Sequence, residues 1–250
     1  MSGQGASLPV LINTEFGGSA KRVANFLCLT LLVMVGVVFV KGPAGLLAEM
    51  TLGIEWTNLW GAAIFAYYVV ATLVPVDKII GRLYPVFGAV LILMTTGLLV
   101  GTVNLGHRFP ALQASHPDGN SFFPTIFVVV SCSAVSGFHS TQTPMMARCL
   151  QKRGSAMKVF YGAMIVEGGI GLVWAWATLV FYGGQEGLLK ALAFEEGCAN
   201  GNPAVLVTTI LTTLLGNVGG AFAMMGVVVL PVTSGDTAFR AARLIIAEAL

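Results

Sequence analysis

Long runs of apolar residues alternate with short polar connections along the whole chain. A helix that spans a bilayer needs about 20 apolar residues, because each residue advances it by about 1.5 Å through a hydrocarbon layer about 30 Å thick. Runs of this kind predict six membrane spans, at residues 22–40, 57–74, 83–104, 122–138, 159–182 and 204–232. The pattern therefore predicts an all-α, polytopic integral membrane protein with a single transmembrane domain over residues 1–250.

The fourth predicted span is short and the sixth is long, so these two are expected to be irregular. The fourth runs into the polar sequence Ser136-Gly137-Phe138-His139-Ser140-Thr141-Gln142-Thr143-Pro144. Backbone groups left unpaired by a glycine or a proline cannot be satisfied by lipid, so they need protein or water around them. We therefore predict one or two broken helices, with a polar pathway beside the first break.

Composition and charge support a membrane protein and set its orientation. Hydrophobic residues make up 56% of the chain and charged residues 10%, against roughly 25% charged in soluble domains. With six spans, 10 of the 13 Lys and Arg residues fall in the two terminal segments and the second and fourth connections. Cytoplasmic connections carry the Lys/Arg excess, so both termini are predicted to be cytoplasmic in a cell inner membrane. The net charge of +2 gives no reason to expect a nucleic-acid partner.

Two ionisable side chains within the predicted membrane region are candidates for proton transfer. Glu167 lies near the middle of the fifth span, where a carboxylate costs about 3 kcal/mol. It either binds a coupling proton or is a neutral acid hydrogen-bonded to another helix. Imidazole ordinarily titrates near neutral pH, so His139 either relays protons or caps a helix end. The polar neighbours of His139 favour the first interpretation, in which the imidazole belongs to the polar pathway.

The sixth predicted span carries Asn217 among glycines at its midpoint. An amide at this depth needs a hydrogen-bond partner, so Asn217 is predicted to line the pathway while its glycines let the span bend. Gly216 and Gly220 form a pair with the spacing that favours close helix packing, as do Gly97 and Gly101 in the third span.

Three further polar residues receive a structural interpretation. Asp236 is predicted to cap an amphipathic cytoplasmic segment, residues 237–250, because aspartate is a preferred N-cap residue. Tyr67 and Tyr68 lie inside the second predicted span. Their hydroxyls could line a pathway, but packing is the favoured interpretation.

Sequence signatures of common enzymes are missing from the chain. It has no phosphate-binding loop, no Gly-x-Ser-x-Gly and no His-Glu-x-x-His sequence. The four cysteines are scattered without the spacing of metal ligands. The sequence therefore predicts no enzyme, no metal and no cofactor.

Five blocks of sequence are shared with a known family. They are residues 37–44, residues 75–82, residues 136–139 with Gln142, Pro144 and Arg148, residues 159–164 with Glu167, and residues 233–240. In this order they resemble the carbon starvation protein A (CstA) family of bacterial inner-membrane uptake proteins. The resemblance implies uptake of peptides, or of pyruvate in some relatives, when carbon is short. It also implies a cation-coupled secondary carrier built from inverted repeats with broken helices.

The combined prediction is a CstA-like secondary transporter, or a segment of one. Glu167, with His139, is predicted to carry the coupling proton. The substrate or ion pathway is predicted to be lined by Ser136, Gly137, His139, Gln142, Thr143 and Asn217. The predicted partners are a peptide or pyruvate, a coupling cation expected to be a proton, and the lipid bilayer. The oligomeric state is left open, with a homo-oligomer as one alternative.

Two alternatives remain open from the sequence. A passive channel would keep the polar pathway but would need no titrating Glu167. A membrane signalling or scaffold subunit would respond to starvation without moving a solute. Family members are longer than this chain, which therefore resembles a central fragment or a shortened version of the carrier.

Overall fold

The computed structural model of the chain describes residues 6–51, 53–73, 84–106, 119, 121–133, 137–150, 152–193 and 203–249. Within these ranges the regular structure is entirely helical. The α-helices are α1 (Leu8–Met50), α2 (Thr57–Leu73), α3 (Tyr84–Asn104), α4 (Phe122–Ser133), α5 (Gly137–Cys149), α6 (Ala163–Phe181), α7 (Gln185–Leu192) and α8 (Pro203–Ala249). A π-helical turn, Met157–Gly162, leads directly into α6.

Several helical segments are long and apolar enough to cross a membrane. In the described part of the chain there are four of them, Leu8–Ala48, Tyr84–Asn104, Met157–Phe181 and Gly219–Ala249. Two shorter apolar helices cover Thr57–Leu73 and Val205–Asn217. The prediction of an all-α, multi-pass membrane protein is confirmed, whereas the predicted number of about six spans is not.

The first predicted span, residues 22–40, lies inside the much longer helix α1. The sequence Lys41-Gly42-Pro43 is helical, so the helix continues past residue 40, the predicted end of the first span. Pro43 has no N–H to donate to the carbonyl four residues earlier, that of Phe39. The Tyr68 hydroxyl lies 2.9 Å from this carbonyl oxygen and donates to it instead. Because the carbonyl stays paired, the helix continues past the proline.

The predicted fourth span, residues 122–138, falls on two described helices. Helix α4 covers Phe122–Ser133 and α5 covers Gly137–Cys149, and residues 134–136 lie outside the described part of the chain. Ser136, which was assigned to the pathway, lies outside the described residues. The polar sequence that follows it forms α5, which extends well beyond the predicted end of the span.

The predicted irregularity of the sixth span is confirmed. The backbone of α8 leaves helical geometry at Gly216, with φ 68° and ψ 176°, a conformation that glycine adopts at little cost. A Cβ atom on Gly220 would lie 2.9 Å from the Cα atom of Thr212. Gly220 therefore packs across the break in its own helix. The helix also continues past residue 232 to Ala249.

The chain divides into two compact units. The first unit comprises Met1–Tyr84, Ala134–Ile165 and Leu230–Leu250, and the second comprises Pro85–Ser133 and Val166–Val229. A single transmembrane domain and two cytoplasmic termini stay predictions.

In the first unit, α1 runs antiparallel to the second half of α8. Lys21 Nζ lies 3.1 Å from the Glu248 carbonyl oxygen, and Gly36 faces Phe239 much nearer the other end of the pair. A Cβ atom on Gly36 would lie 2.9 Å from Phe239 Cζ, so glycine allows this close approach. The core between the two helices consists of Cys28, Leu32, Ala238, Ala241 and Ile245.

In the second unit, leucine side chains of α8 pack against glycines of α3. A Cβ atom on Gly97 would lie 3.2 Å from Leu215 Cδ2, and one on Gly101 would lie 3.1 Å from Leu214 Cβ. These distances agree with close helix packing as the role of the glycine pair in the third predicted span.

Replacement of Gly101 by valine is expected to lower the free energy of unfolding by about 2 kcal/mol, because the new side chain overpacks the contact with Leu214. Gly88→Val is the matched control, since Gly88 lies in the same helix and an added Cβ there would meet nothing within 4 Å. Thermal unfolding in detergent measures both variants. Equal stability of the two would show that the α3–α8 contact contributes nothing.

Candidate functional site

Helix α5 carries most of the polar residues that were assigned to the pathway. The Thr141 hydroxyl donates to the Phe138 carbonyl at 2.7 Å, and the Thr143 hydroxyl donates to the His139 carbonyl at 2.8 Å. These bonds satisfy both hydroxyls within the helix, which lets a polar sequence stay helical in an apolar setting. Thr141 and Met145 are buried, whereas Thr143 is exposed.

The side-chain amide of Gln142 is the unusual group of this helix. Its nitrogen and its oxygen are both buried, and neither has a hydrogen-bond partner among the described residues. A buried polar atom without a partner costs about 1–3 kcal/mol. The Gln142 amide therefore has a hydrogen-bonding capacity that helix packing does not use.

Helix α5 is held against α1 and the second half of α8. The Phe138 ring packs edge-on against Phe39 with ring centroids 5.8 Å apart, and Phe138 also lies against the core between α1 and α8. Near the other end of α5, Arg148 Nη2 lies 2.7 Å from Glu248 Oε1. These contacts fix the direction of α5 within the first unit.

The remaining pathway and proton-transfer candidates are divided between α5 and the parts of two helices that lie in the second unit. Gly137 is its first residue, and His139, half-buried, lies in its first turn together with Ser140. Glu167, on α6, and Asn217, on α8, are exposed and belong to the second unit. Their roles stay predictions.

A buried ion pair lies in the first unit, where the sequence did not indicate one. Asp236 is 0% exposed and Arg240 is 6% exposed. Arg240 Nε lies 3.0 Å from Asp236 Oδ1, one helical turn away. Arg240 Nη2 also donates to the carbonyl oxygen of Ala71, in the last turn of α2.

Two tyrosines complete this cluster. The Tyr84 hydroxyl lies 3.2 Å from Asp236 Oδ2 and 3.2 Å from the Thr233 carbonyl oxygen. The Tyr68 hydroxyl, which donates to the Phe39 carbonyl, also lies 3.4 Å from the Pro231 carbonyl oxygen. We refer to Tyr68, Tyr84, Asp236 and Arg240 as the polar centre.

The predicted N-cap role of Asp236 was wrong. Helix α8 continues without interruption through residues 233–240. The Thr233 and Thr237 hydroxyls bond to carbonyl groups of the same helix, those of Leu230 and Ser234, both at 2.8 Å, so this polar stretch need not end the helix. The spacing of Asp236 and Arg240 by four residues was the available signal, because such residues face each other on a helix.

The charges of the polar centre are balanced. One carboxylate faces one guanidinium, and two hydroxyl groups pair with the nearby carbonyl and carboxylate oxygens. In the described part of the chain, no group of three or more His, Cys, Asp or Glu side chains is placed to hold a metal ion. A carboxylate can bind a proton and a guanidinium can bind a carboxylate, and in this structure the two groups are paired with each other.

The apolar spans and this buried ion pair define a multi-pass, all-α membrane protein. The sequence profile of the family described as "Carbon starvation protein CstA" matches residues 19–184, and the chain belongs to this family. A Haemophilus influenzae relative described as "Uncharacterized membrane protein" is 36% identical over 249 residues, which cover 78% of this chain and 67% of the relative. A second H. influenzae relative, described as "Uncharacterized protein", is 76% identical over 34 residues, or 14% of this chain and 25% of the relative. No solved structure gives a significant match.

Proposed function

We propose that the protein is a secondary transporter for the uptake of peptides or pyruvate during carbon starvation, coupled to a cation that we take to be the proton. Membership of the CstA family supports a role associated with carbon starvation. The observation that carries the transport proposal is the buried Gln142 amide, whose nitrogen and oxygen have no partner among the described residues. A passing solute or water would supply that partner.

The proposed pathway follows α5. Ser136, Gly137, His139, Gln142 and Thr143 contribute polar and backbone groups to it. Asn217, beside the break in α8, is the pathway residue proposed in the second unit. The break at Gly216 supports this proposal, because broken helices near the membrane midplane are typical of substrate sites in secondary transporters.

The proposed proton carriers are Glu167 and His139. Glu167 lies exposed on a helix that is otherwise long and apolar. Ionisable side chains in such positions are rare because they are costly, and they commonly mark ion pathways.

Replacement of Glu167 by glutamine is expected to abolish accumulation of substrate against its gradient while downhill entry continues. Uptake of labelled pyruvate and of short peptides by proteoliposomes, with and without an imposed pH gradient, measures this. Accumulation that survives in the variant contradicts the role of Glu167. Wild-type uptake that never exceeds equilibrium indicates a passive channel, and no uptake in any condition contradicts transport.

Replacement of Gln142 by methionine, which is similar in length but apolar, is expected to lower the uptake rate about tenfold, because one hydrogen bond to the solute is lost. Stability is expected to stay level or to rise by about 1 kcal/mol, because a buried group without a partner is removed. Gln185→Met, the same change on α7, is the control. A stability loss without a change in uptake would mean that Gln142 only packs.

A further inference from the structure

We propose that the polar centre links the binding of a coupling proton to the binding of the carboxylate group of the substrate, with Asp236 receiving the proton and Arg240 receiving the carboxylate. This inference rests on the proposed transport function and names the site at which its two solutes are linked. Pyruvate and the C-terminus of a peptide share the carboxylate, so the site recognises the chemistry common to both.

The burial of the pair supports a functional site. Asp236 and Arg240 lie in Gly219–Ala249, one of the segments able to cross a membrane, and both are buried. A charge at such a position is costly unless an opposite charge and hydrogen bonds compensate it. Arg240 and Tyr84 supply that compensation to Asp236.

The surroundings of Asp236 come from several elements. Its own helix provides Arg240 and, less than two turns away, Arg243, which donates to the Thr72 carbonyl oxygen. Helix α2 provides Tyr67 and Tyr68, and α3 provides Tyr84, all close enough to interact with the Asp236 charge. Among the described neighbours, the acid therefore faces one directly bound cation and three phenols.

The linked binding conserves charge. A proton binds a carboxylate oxygen of Asp236, which becomes a neutral acid and loses its attraction for Arg240. The guanidinium keeps its charge, and the carboxylate of the substrate takes the place of Asp236 as its counter-ion. No covalent bond of the substrate changes, and the net charge of the centre is zero before and after the two bind.

The neighbouring groups have other partners once Asp236 is neutral. The Tyr84 hydroxyl lies as close to the Thr233 carbonyl oxygen as to Asp236, at 3.2 Å in both cases. Arg240 remains attached to the Ala71 carbonyl through Nη2, which holds the guanidinium in position for an incoming anion. Tyr84 and Arg240 therefore each keep a hydrogen-bond partner when Asp236 is neutral.

The test measures proton uptake when a substrate binds to the purified protein in a weakly buffered solution with a pH-sensitive dye. Pyruvate and a dipeptide are the probes, and pyruvamide and the C-terminally amidated dipeptide are their uncharged counterparts. The wild-type protein is expected to take up a proton with each carboxylate probe and to bind the amides about tenfold or more weakly.

Asp236→Asn is expected to bind the carboxylates without proton uptake, and Arg240→Lys to bind them about tenfold more weakly, because a bidentate guanidinium contact is lost. Arg148→Gln, which alters the exposed ion pair with Glu248, is the control and should behave as the wild type. Since Asp236→Asn removes the carboxylate that faces Arg240 and could prevent folding, the neutral double variant Asp236→Asn/Arg240→Gln is measured as well. It should show neither proton uptake nor a preference for carboxylates over amides.

Proton uptake that persists in Asp236→Asn, or a carboxylate preference that persists in the double variant, overturns the inference. If either result accompanies gradient-driven uptake by wild-type proteoliposomes, the proposed transport function stands without this site. A wild-type protein that neither binds nor accumulates the probes overturns both.

Discussion

Replacing Gly235 with alanine is expected to lower the free energy of unfolding by about 3 kcal/mol, because the added methyl group overpacks a buried contact and disturbs hydrogen bonds. A Cβ atom on Gly235 would overlap the hydroxyl group and the ring of Tyr68. Tyr68 is 1% exposed and cannot move aside without unpairing the Phe39 carbonyl oxygen, which Pro43 leaves without its helical donor. The loss of helical circular dichroism during unfolding in detergent measures the change.

The matched control for this variant is Gly45→Ala. Gly45 lies in α1, two residues after Pro43, and an added Cβ there would meet nothing within 4 Å. The double variant Gly235→Ala/Tyr68→Leu should lose less stability than the sum of its single changes, because the smaller side chain relieves the overlap. Equal stability of Gly235→Ala and Gly45→Ala would contradict the close contact between Gly235 and Tyr68.

The apolar helices and the break in α8 were predictable because a bilayer restricts what a sequence can do. Backbone groups in lipid must be paired within a helix, so apolar runs such as Tyr84–Asn104 correspond to helices with nearly the predicted ends. The same restriction made the glycines around Asn217 informative, and the break lies at Gly216. The end of α1 was not predictable in this way. Glycine and proline at residues 42 and 43 are typical of a turn, but the helix continues there, and its Phe39 carbonyl accepts a hydrogen bond from the distant Tyr68 hydroxyl.

The polar centre could not be predicted from the sequence, because it also depends on contacts between distant residues. Whether an aspartate caps a helix or forms an ion pair depends on its neighbours in space, and Tyr84 is 152 residues from Asp236 along the chain. The apolar sequence before Thr233–Arg240 indicated only that this stretch lies at the end of a span, and it did not indicate an ion pair. By contrast, the polar character of α5 was visible because it is local. The buried state of the Gln142 amide was not, since it depends on how α5 packs.

Replacing Arg240 with glutamine is expected to lower the free energy of unfolding by about 3–5 kcal/mol, because it leaves the Asp236 carboxylate buried without its counter-ion. The Ala71 carbonyl at the end of α2 would lose its donor in the same variant. Arg148→Gln is the matched control, because it makes the same chemical change in an exposed ion pair of the same unit. Exposed pairs contribute less than about 1 kcal/mol. Denaturant-induced unfolding in detergent measures both variants.

The double variant Asp236→Asn/Arg240→Gln separates the cost of an unpaired charge from the value of the pair. Removing both charges leaves two amides that can hydrogen-bond to each other, and replacing a whole buried pair is often close to neutral for stability. We therefore expect the double variant to regain most of the stability that Arg240→Gln loses. A double variant as unstable as Arg240→Gln would mean that the guanidinium contributes mainly through the Ala71 carbonyl. Recovery of stability together with loss of carboxylate-linked proton uptake would mean that the ion pair is kept in the membrane for its chemistry and not for the fold.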